Sequence, residues 1–428
     1  MKILILAPYP PYPPHGGGAM RIYQLVRGLA ARHDVTCLAF APDVEAERAL
    51  APLQAFCRVL TVRGPQPRSA VRRAWTTLVS PLPDMALRNA APAYASALDR
   101  LLAAERFDII QAESIEMARY LPGCGSRAHA EATPAAIAQT RSAKRVLDQF
   151  NAEYVLQRRA FLTDVRQPRR WHAAAYSLVQ WLKLARYERR VLRSCDATIA
   201  VSKEDRRLLL RLVPTARVGV VPNGVDTDYF SRAAIAAAAG AMPLGDRALV
   251  FSGTLDYRPN MDAVIWFAHE VLPRVRASWP DARLFVVGRR PTPALHRLAA
   301  GGGVTIVGEV PDARPYIAGA AVYIVPMRIG GGIRLKLLEA LALEAPVVST
   351  ALGAEGVVGL RSGAHCLLAD DPVDFAAAVL RLIADRELGR RLGTAGRALV
   401  CASYDWTAIV PQLEALYADL IPPGAQDS

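Results

Sequence analysis

The chain has 428 residues, 52% of them apolar, and 52 Lys and Arg against 39 Asp and Glu, a formal charge of +13. That size and apolar content exclude a disordered chain or one small domain and call for two domains, each with its own core. Cys37, Cys57, Cys124, Cys195, Cys366 and Cys401 are far apart with no C-x-x-C pair, which argues against a disulfide framework or a zinc site and for a reducing compartment.

The chain opens on MKILILAPYPPYP, whose five-residue apolar run ends at proline. A signal peptide or a membrane span needs a longer run, so a cytoplasmic protein, at most peripheral to the membrane, is expected. Strands are predicted at 2–7, 35–40, 57–62, 108–113, 144–149 and 197–202, most of them followed by an amphipathic helix. After a hinge read at 211–217, the scheme repeats with strands at 217–223, 248–255, 283–289, 304–309, 320–326 and 345–350. Apolar strands alternating with helices predict parallel sheets covered on both faces, so the expected architecture is two doubly wound α/β domains. The predicted domains are 1–214 and 215–403. The Ala-rich stretch 233–242 reads as a surface connection, and a last helix near 406–420, within a tail at 404–420, is expected to return to the first domain.

Charge is split unevenly. Residues 1–217 hold 33 basic and 18 acidic side chains, and 218–428 hold 19 and 21, so the excess lies wholly in the first half. It reads either as an attraction for an anionic partner or as a solvated arginine-rich surface. The stretch 158–193 concentrates it, with ten Lys and Arg interleaved with Trp171, Tyr176 and Trp181. Two readings stay open for that stretch, a packed helix with solvated arginines and a helix lying on anionic lipid. No nucleic-acid motif accompanies the charge, so nucleic acid is not an expected partner.

In open parallel sheets ligands bind beyond the carboxyl ends of the strands, and two strand-to-helix loops are rich in glycine. The first, PYPPYPPHGGGAMR (8–21), holds His15, Gly16, Gly17 and Gly18. A dinucleotide fingerprint fails there, because its third glycine would fall at Arg21 and no acid follows the second strand. The second, PMRIGGGIRLKLLEALALEAPVVST (326–350), turns through Gly330, Gly331 and Gly332 into a helix predicted from Ile333. Leu337, Leu338 and Leu341 form one face of that helix, and Lys336 and Glu339 lie together on roughly the other. Arg334 and Lys336 beside free helix N–H groups describe a diphosphate site, with Glu339 placed to grip ribose hydroxyls. An ordinary surface pair of Lys336 and Glu339 is the plainer reading. A Walker loop fails, since Leu335 and Leu337 stand where it needs glycine and a hydroxyl.

These residues, with VPNGVD (221–226), SGTLDYRPN (252–260) and GEVPD (308–312), resemble glycosyltransferase family 4, retaining enzymes of the GT-B fold, and are most similar to bacterial exopolysaccharide-type sugar transferases. The resemblance implies two Rossmann-like domains facing across a cleft, the first binding the acceptor and the second a UDP- or GDP-sugar. No cofactor and no metal are implied. Glu339 matches the second glutamate of the family's E-x7-E motif, and Gly331 stands where the first would be. Gly17 and Gly18 match the loop over the donor phosphates. Gly253 and Thr254 match the phosphate side of the second domain, where Arg258 is the nearby cation in place of the family's usual basic pair, with Gly288 and Arg289 lining the site and Val307 and Glu309 at the nucleobase. Gly330, Gly332, Ile333 and Leu335 complete the donor loop. The family histidine that touches the transferred sugar is replaced by Phe150, leaving Asp148, Asn151, Glu153 or His15 to supply a polar group.

The resemblance thus implies a hexosyltransferase that retains anomeric configuration. Its acceptor is a saccharide or polyprenyl-linked sugar at the inner face of the cytoplasmic membrane. An epimerase of the same fold or a silent nucleotide-sugar binder are the alternatives.

Overall fold

The computed structural model describes residues 1–14, 16–65, 67–121, 142–165, 171–238, 244–330 and 332–421. Its strands form two all-parallel sheets. In the first, β1 (Lys2–Ala7), β2 (Asp34–Ala41), β3 (Arg58–Arg63), β4 (Ile109–Glu113), β5 (Lys144–Gln149), β6 (Ala197–Ala200) and β7 (Val218–Val220) run in the order β3-β2-β1-β4-β5-β6-β7. In the second, β8 (Ala248–Ser252), β9 (Arg283–Val287), β10 (Val304–Gly308), β11 (Val322–Val325), β12 (Val347–Ser349) and β13 (Leu367–Leu368) run β10-β9-β8-β11-β12-β13.

The continuous apolar runs explain the arrangement. Ile3, Leu4, Ile5 and Leu6 are all fully buried, which requires helices on both faces of the sheet, and the crossovers of a parallel sheet supply them. Leu249, Val250 and Phe251 are buried in the same way in the second sheet. Each order reverses once, between β1 and β4 and between β8 and β11. The carboxyl ends of these strand pairs are therefore the two switch points where a doubly wound sheet offers a crevice.

The structure moves three expected boundaries. The compact units are Met1–Pro222 with Val410–Ser428, and Asn223–Ile409. The divide thus falls after β7, which pairs with β6 through Thr198 and Val218. The predicted hinge at 211–217 lies inside the first unit, running from the end of the helix Lys203–Leu212 up to β7. The helix predicted from Ile333 spans Leu335–Ala342, because Arg334 keeps extended backbone angles as its N-cap residue. Part of the Ala-rich connection is the helix Arg232–Ala238. The helix Trp406–Ala418 carries the chain back to the first unit, where the Tyr417 hydroxyl donates to Gln111 Oε1.

Candidate functional site

At the switch point of the second unit, three loops are tied together by their backbones. Gly253 N–H donates to Val287 O at 3.0 Å, Leu255 N–H to Arg289 O at 2.9 Å and Gly288 N–H to Gly308 O at 2.7 Å. Gly288 has φ +149°, and a Cβ there would stand 1.8 Å from Gly253 O, so only glycine permits this approach. Thr254 follows in the same loop, and Arg258 is exposed as the first residue of the helix Arg258–Trp266. Arg289 is partly exposed beside the bond from Leu255. Val307 is half-buried on β10 and Glu309 exposed just past its end.

Lys336 reaches into this loop set. Its Nζ donates to Asn260 Oδ1 at 2.9 Å and sits 3.9 Å from the centre of the Phe251 ring. A Cβ added to Gly253 would lie 2.8 Å from the same amine. Asn260, itself buried, donates to Thr254 O at 2.9 Å, so one amide links the β8 loop to the lysine. The sequence reading missed Asn260. Its signal was a polar residue in the first turn of an apolar helix, directly after the SGTL loop.

Leu337, Leu338 and Leu341 are fully buried, as the helical periodicity predicts. They anchor Leu335–Ala342, whose first turn takes no side-chain cap. The Arg334 guanidinium folds against Gly330, where an added Cβ would meet Nη2 at 2.8 Å. Gly330 and Gly332 have φ of +115° and +75°, which suits glycine. Ile333 packs against the core of this unit, as does Leu335. Gly331 and His15 lie outside the described residues.

Burial governs the electrostatics. It lowers the Lys336 amine to about 7, against the pull of Glu339, and Arg334 lowers it further. It raises the Glu339 carboxyl to about 7, with Lys336 opposing. Arg334 is lowered by burial, with Tyr257 and Glu355 opposing. Among the described residues no carboxylate lies within ion-pair distance of Lys336, which faces the neutral oxygen of Asn260. A bound anion would restore the charged amine and relieve its desolvation.

The first unit's switch point is built differently. Gly16, with φ +96°, is the N-cap of α1 (Gly17–Ala30), and a Cβ on Gly18 would collide with the Tyr9 hydroxyl at 1.9 Å and approach Phe150 at 3.1 Å. Asp148, expected at the sugar, is held by Arg21. Nε donates to Oδ2 at 2.7 Å and Nη2 to Oδ1 at 3.0 Å, and both side chains are buried. The guanidinium also donates to Pro222 O and Val221 O, each at 3.0 Å. Each oxygen of Asp148 accepts from the guanidinium, because a carboxylate this deep requires a cation, and the Glu113 carboxyl also bonds to it. Asn151 donates to Glu153 Oε1 at 3.1 Å, and burial pushes Glu153 up to about 7.

Two buried acids here were not foreseen. Glu113, at the end of β4, accepts from Gln111 Nε2 at 2.7 Å and is pushed well above the usual carboxylate range by burial and by Asp148. Glu188 accepts from the backbone N–H of Glu153 at 3.1 Å and of Tyr154 at 2.8 Å. It thereby caps the helix Glu153–Asp164 from a neighbouring helix, and burial raises it to about 8. In the basic stretch only Trp171 of the three aromatics is exposed. Trp181 stacks on Phe161 at 6.1 Å.

Comparison with known proteins completes the picture. A family model described as Glycosyltransferase Family 4 matches residues 15–229, and one described as Glycosyl transferases group 1 matches 246–385. The phosphatidyl-myo-inositol mannosyltransferase of Mycobacterium tuberculosis is 34% identical over 241 residues, which are 53% of this chain and 61% of that protein. A GDP-mannose-dependent alpha-(1-6)-phosphatidylinositol monomannoside mannosyltransferase of the same organism is 30% identical over 243 residues, 53% of this chain and 62% of that protein. The chain thus spans about three fifths of these relatives' length.

Among solved structures, sucrose-phosphate synthase from Thermosynechococcus elongatus aligns with a TM-score of 0.70 and 20% identity, over 98% of this chain and 99% of that one. The Anabaena HepE protein in complex with UDP aligns at 0.62 and 16%, over 98% and 100%. Both share the fold of two parallel-sheet domains. With the first model covering half its length, the chain belongs to glycosyltransferase family 4.

Proposed function

We propose that the protein is a retaining glycosyltransferase that moves a sugar from a nucleoside-diphosphate sugar to a saccharide or lipid-linked acceptor, in surface-glycan synthesis at the inner face of the cytoplasmic membrane. The observation that carries this is the Lys336 amine, fixed between Asn260, the Phe251 ring and the Gly253 backbone beside a helix start that takes no side-chain cap. Breaking the anomeric C–O bond puts negative charge on the departing diphosphate. A pre-positioned cation and helix N–H groups stabilise that charge without reorganising. Arg334 and Lys336 take this role, and Glu339, one turn on, accepts from ribose hydroxyls. Fixed cations supply the charge a metal would otherwise bring, and the leaving phosphate takes the acceptor's proton on the face it departs from.

The relatives' names favour a mannosyl donor and a lipid acceptor, so GDP-mannose is the donor to test first. A thermal-shift panel over UDP-, GDP- and ADP-sugars tests the site. A ligand at 100 times its Kd stabilises by about 2.7 kcal/mol, and Lys336→Ala and Glu339→Ala are expected to erase the shift. An unchanged shift in both variants would refute the site. A shift with no sugar transfer to any lipid or saccharide acceptor would leave a binder, not an enzyme.

A further inference from the structure

The helix Ala70–Val79 is built inside out. None of its ten residues is buried. At roughly 100° per residue, Val71, Ala74, Trp75, Leu78 and Val79 share one face, and Arg73, Thr76 and Thr77 the opposite one. The polar face is the one turned inward, against the parallel helix Trp171–Ser194. Gln180 Nε2 donates to Thr77 Oγ1 at 3.2 Å, Lys183 Nζ donates to Thr77 O and to Ser80 O, and Arg73 donates to the Tyr176 hydroxyl at 3.5 Å. The apolar face points away from these contacts: Val71 and Leu78 are 80% exposed, Trp75 64% and Val79 56%. Among the described residues nothing buries it.

We infer that this face seats in the surface of an anionic lipid bilayer, with Trp75 and Leu78 inserted and Arg72 at the level of the headgroups. Charge selects the occupant. Between Glu47 and Asp84 the sequence has no acid; Arg58 pairs with Glu105, and Arg68 and Arg73 with Asp84, which leaves Arg48, Arg63 and Arg72 as the positive excess. The neighbouring helix has no acid between Asp164 and Glu188, and its exposed Trp171 lies toward the same end. A second copy docked on this face would bring like charges together, whereas anionic headgroups complement them. No described helix is long and apolar enough to cross a membrane, so the helix lies in the interface plane. The contact is thus assigned to 70–79, which the sequence reading did not single out. It extends the lipid-linked acceptor of the proposed function but does not depend on it, because its test reads binding, not transfer.

The test is co-sedimentation of the full chain with phosphatidylcholine vesicles, with and without phosphatidylglycerol. The chain is expected to bind the anionic vesicles and to come off as salt rises. Trp75→Ser with Leu78→Ser should cut the bound fraction at least about tenfold and Arg72→Glu by several-fold, with Tm and the nucleotide-induced shift unchanged. Wild-type protein that stays in the supernatant, or a double variant that sediments as well as wild type, would overturn the inference. So would a dimer in solution that the double variant dissolves while vesicle binding persists, since that makes a second copy the occupant.

Discussion

The two switch points have the same topology, and each places a cation at the carboxyl edge of its sheet. In the first unit Arg21 is matched by the buried carboxylate of Asp148 and two backbone carbonyls. In the second, Lys336 is matched by a neutral amide and an aromatic ring. A cation neutralised by its own protein holds the fold together, whereas one left short of negative charge is poised for an external anion. The difference lies in the partner, not in the residue type or the strand order.

The comparison breaks first at Arg21. Arg21→Ala leaves Asp148 buried and unpaired and should cost about 3–5 kcal/mol, seen as a large fall in the denaturation midpoint or failure to fold. A smaller loss would mean that Asp148 does not depend on Arg21 for its burial. Next, Lys336→Ala should fold normally but lower kcat for sugar transfer by about 10²–10³-fold, the usual effect of removing one donor to a developing anion. Gly288→Ala should destabilise the second unit by roughly 2 kcal/mol, because its Cβ meets backbone at Gly253 that cannot rotate away; thermal melting checks it.

The smallest effect sharpens the contrast through pH. The ligand-free Lys336 amine is lowered to about 7, so binding a diphosphate above that pH requires taking up a proton. Affinity should fall as pH rises from 7 toward 9, by up to about tenfold per unit. Lys336→Arg, charged throughout, should flatten the profile measured by titration calorimetry. For folding alone the signs differ by group. The lowered lysine makes the unfolded chain bind more protons above pH 7, so its contribution to stability rises with pH. The raised Glu339 makes the folded chain bind more below about 7, so its contribution falls as pH climbs through the acid range.

The fold was legible because strands buried on both faces need unbroken apolar runs. KILILA at 2–7 coincides with β1, and the run predicted at 248–255 opens with β8; KRVLDQ at 144–149 matches β5 although only Val146 and Leu147 in it are apolar. Short elements were not legible. β13 has two residues, too few for a pattern. β7 has three, enough to be seen but not to say which sheet takes it. Local chemistry at 330–339 could be read because its glycines and charges are sequence neighbours. The fate of Asp148 could not, because its partner Arg21 is 127 residues away. Asn260 and Lys336, 76 apart, escaped for the same reason. Periodicity also shows that Ala70–Val79 is two-faced without showing which face turns outward, since only the neighbouring helix decides that.

The path of the helix Trp406–Ala418 has a consequence for biogenesis. Val410 packs where Gly28 leaves room on α1, Leu416 does so at Gly219, and Glu414 pairs with Arg32 at 2.6 Å. The first unit is therefore completed only after the second has been translated, by a segment that follows the second in the chain. A nonsense codon near position 405 would spare nearly all of the later half, yet strip the earlier one of its closing piece.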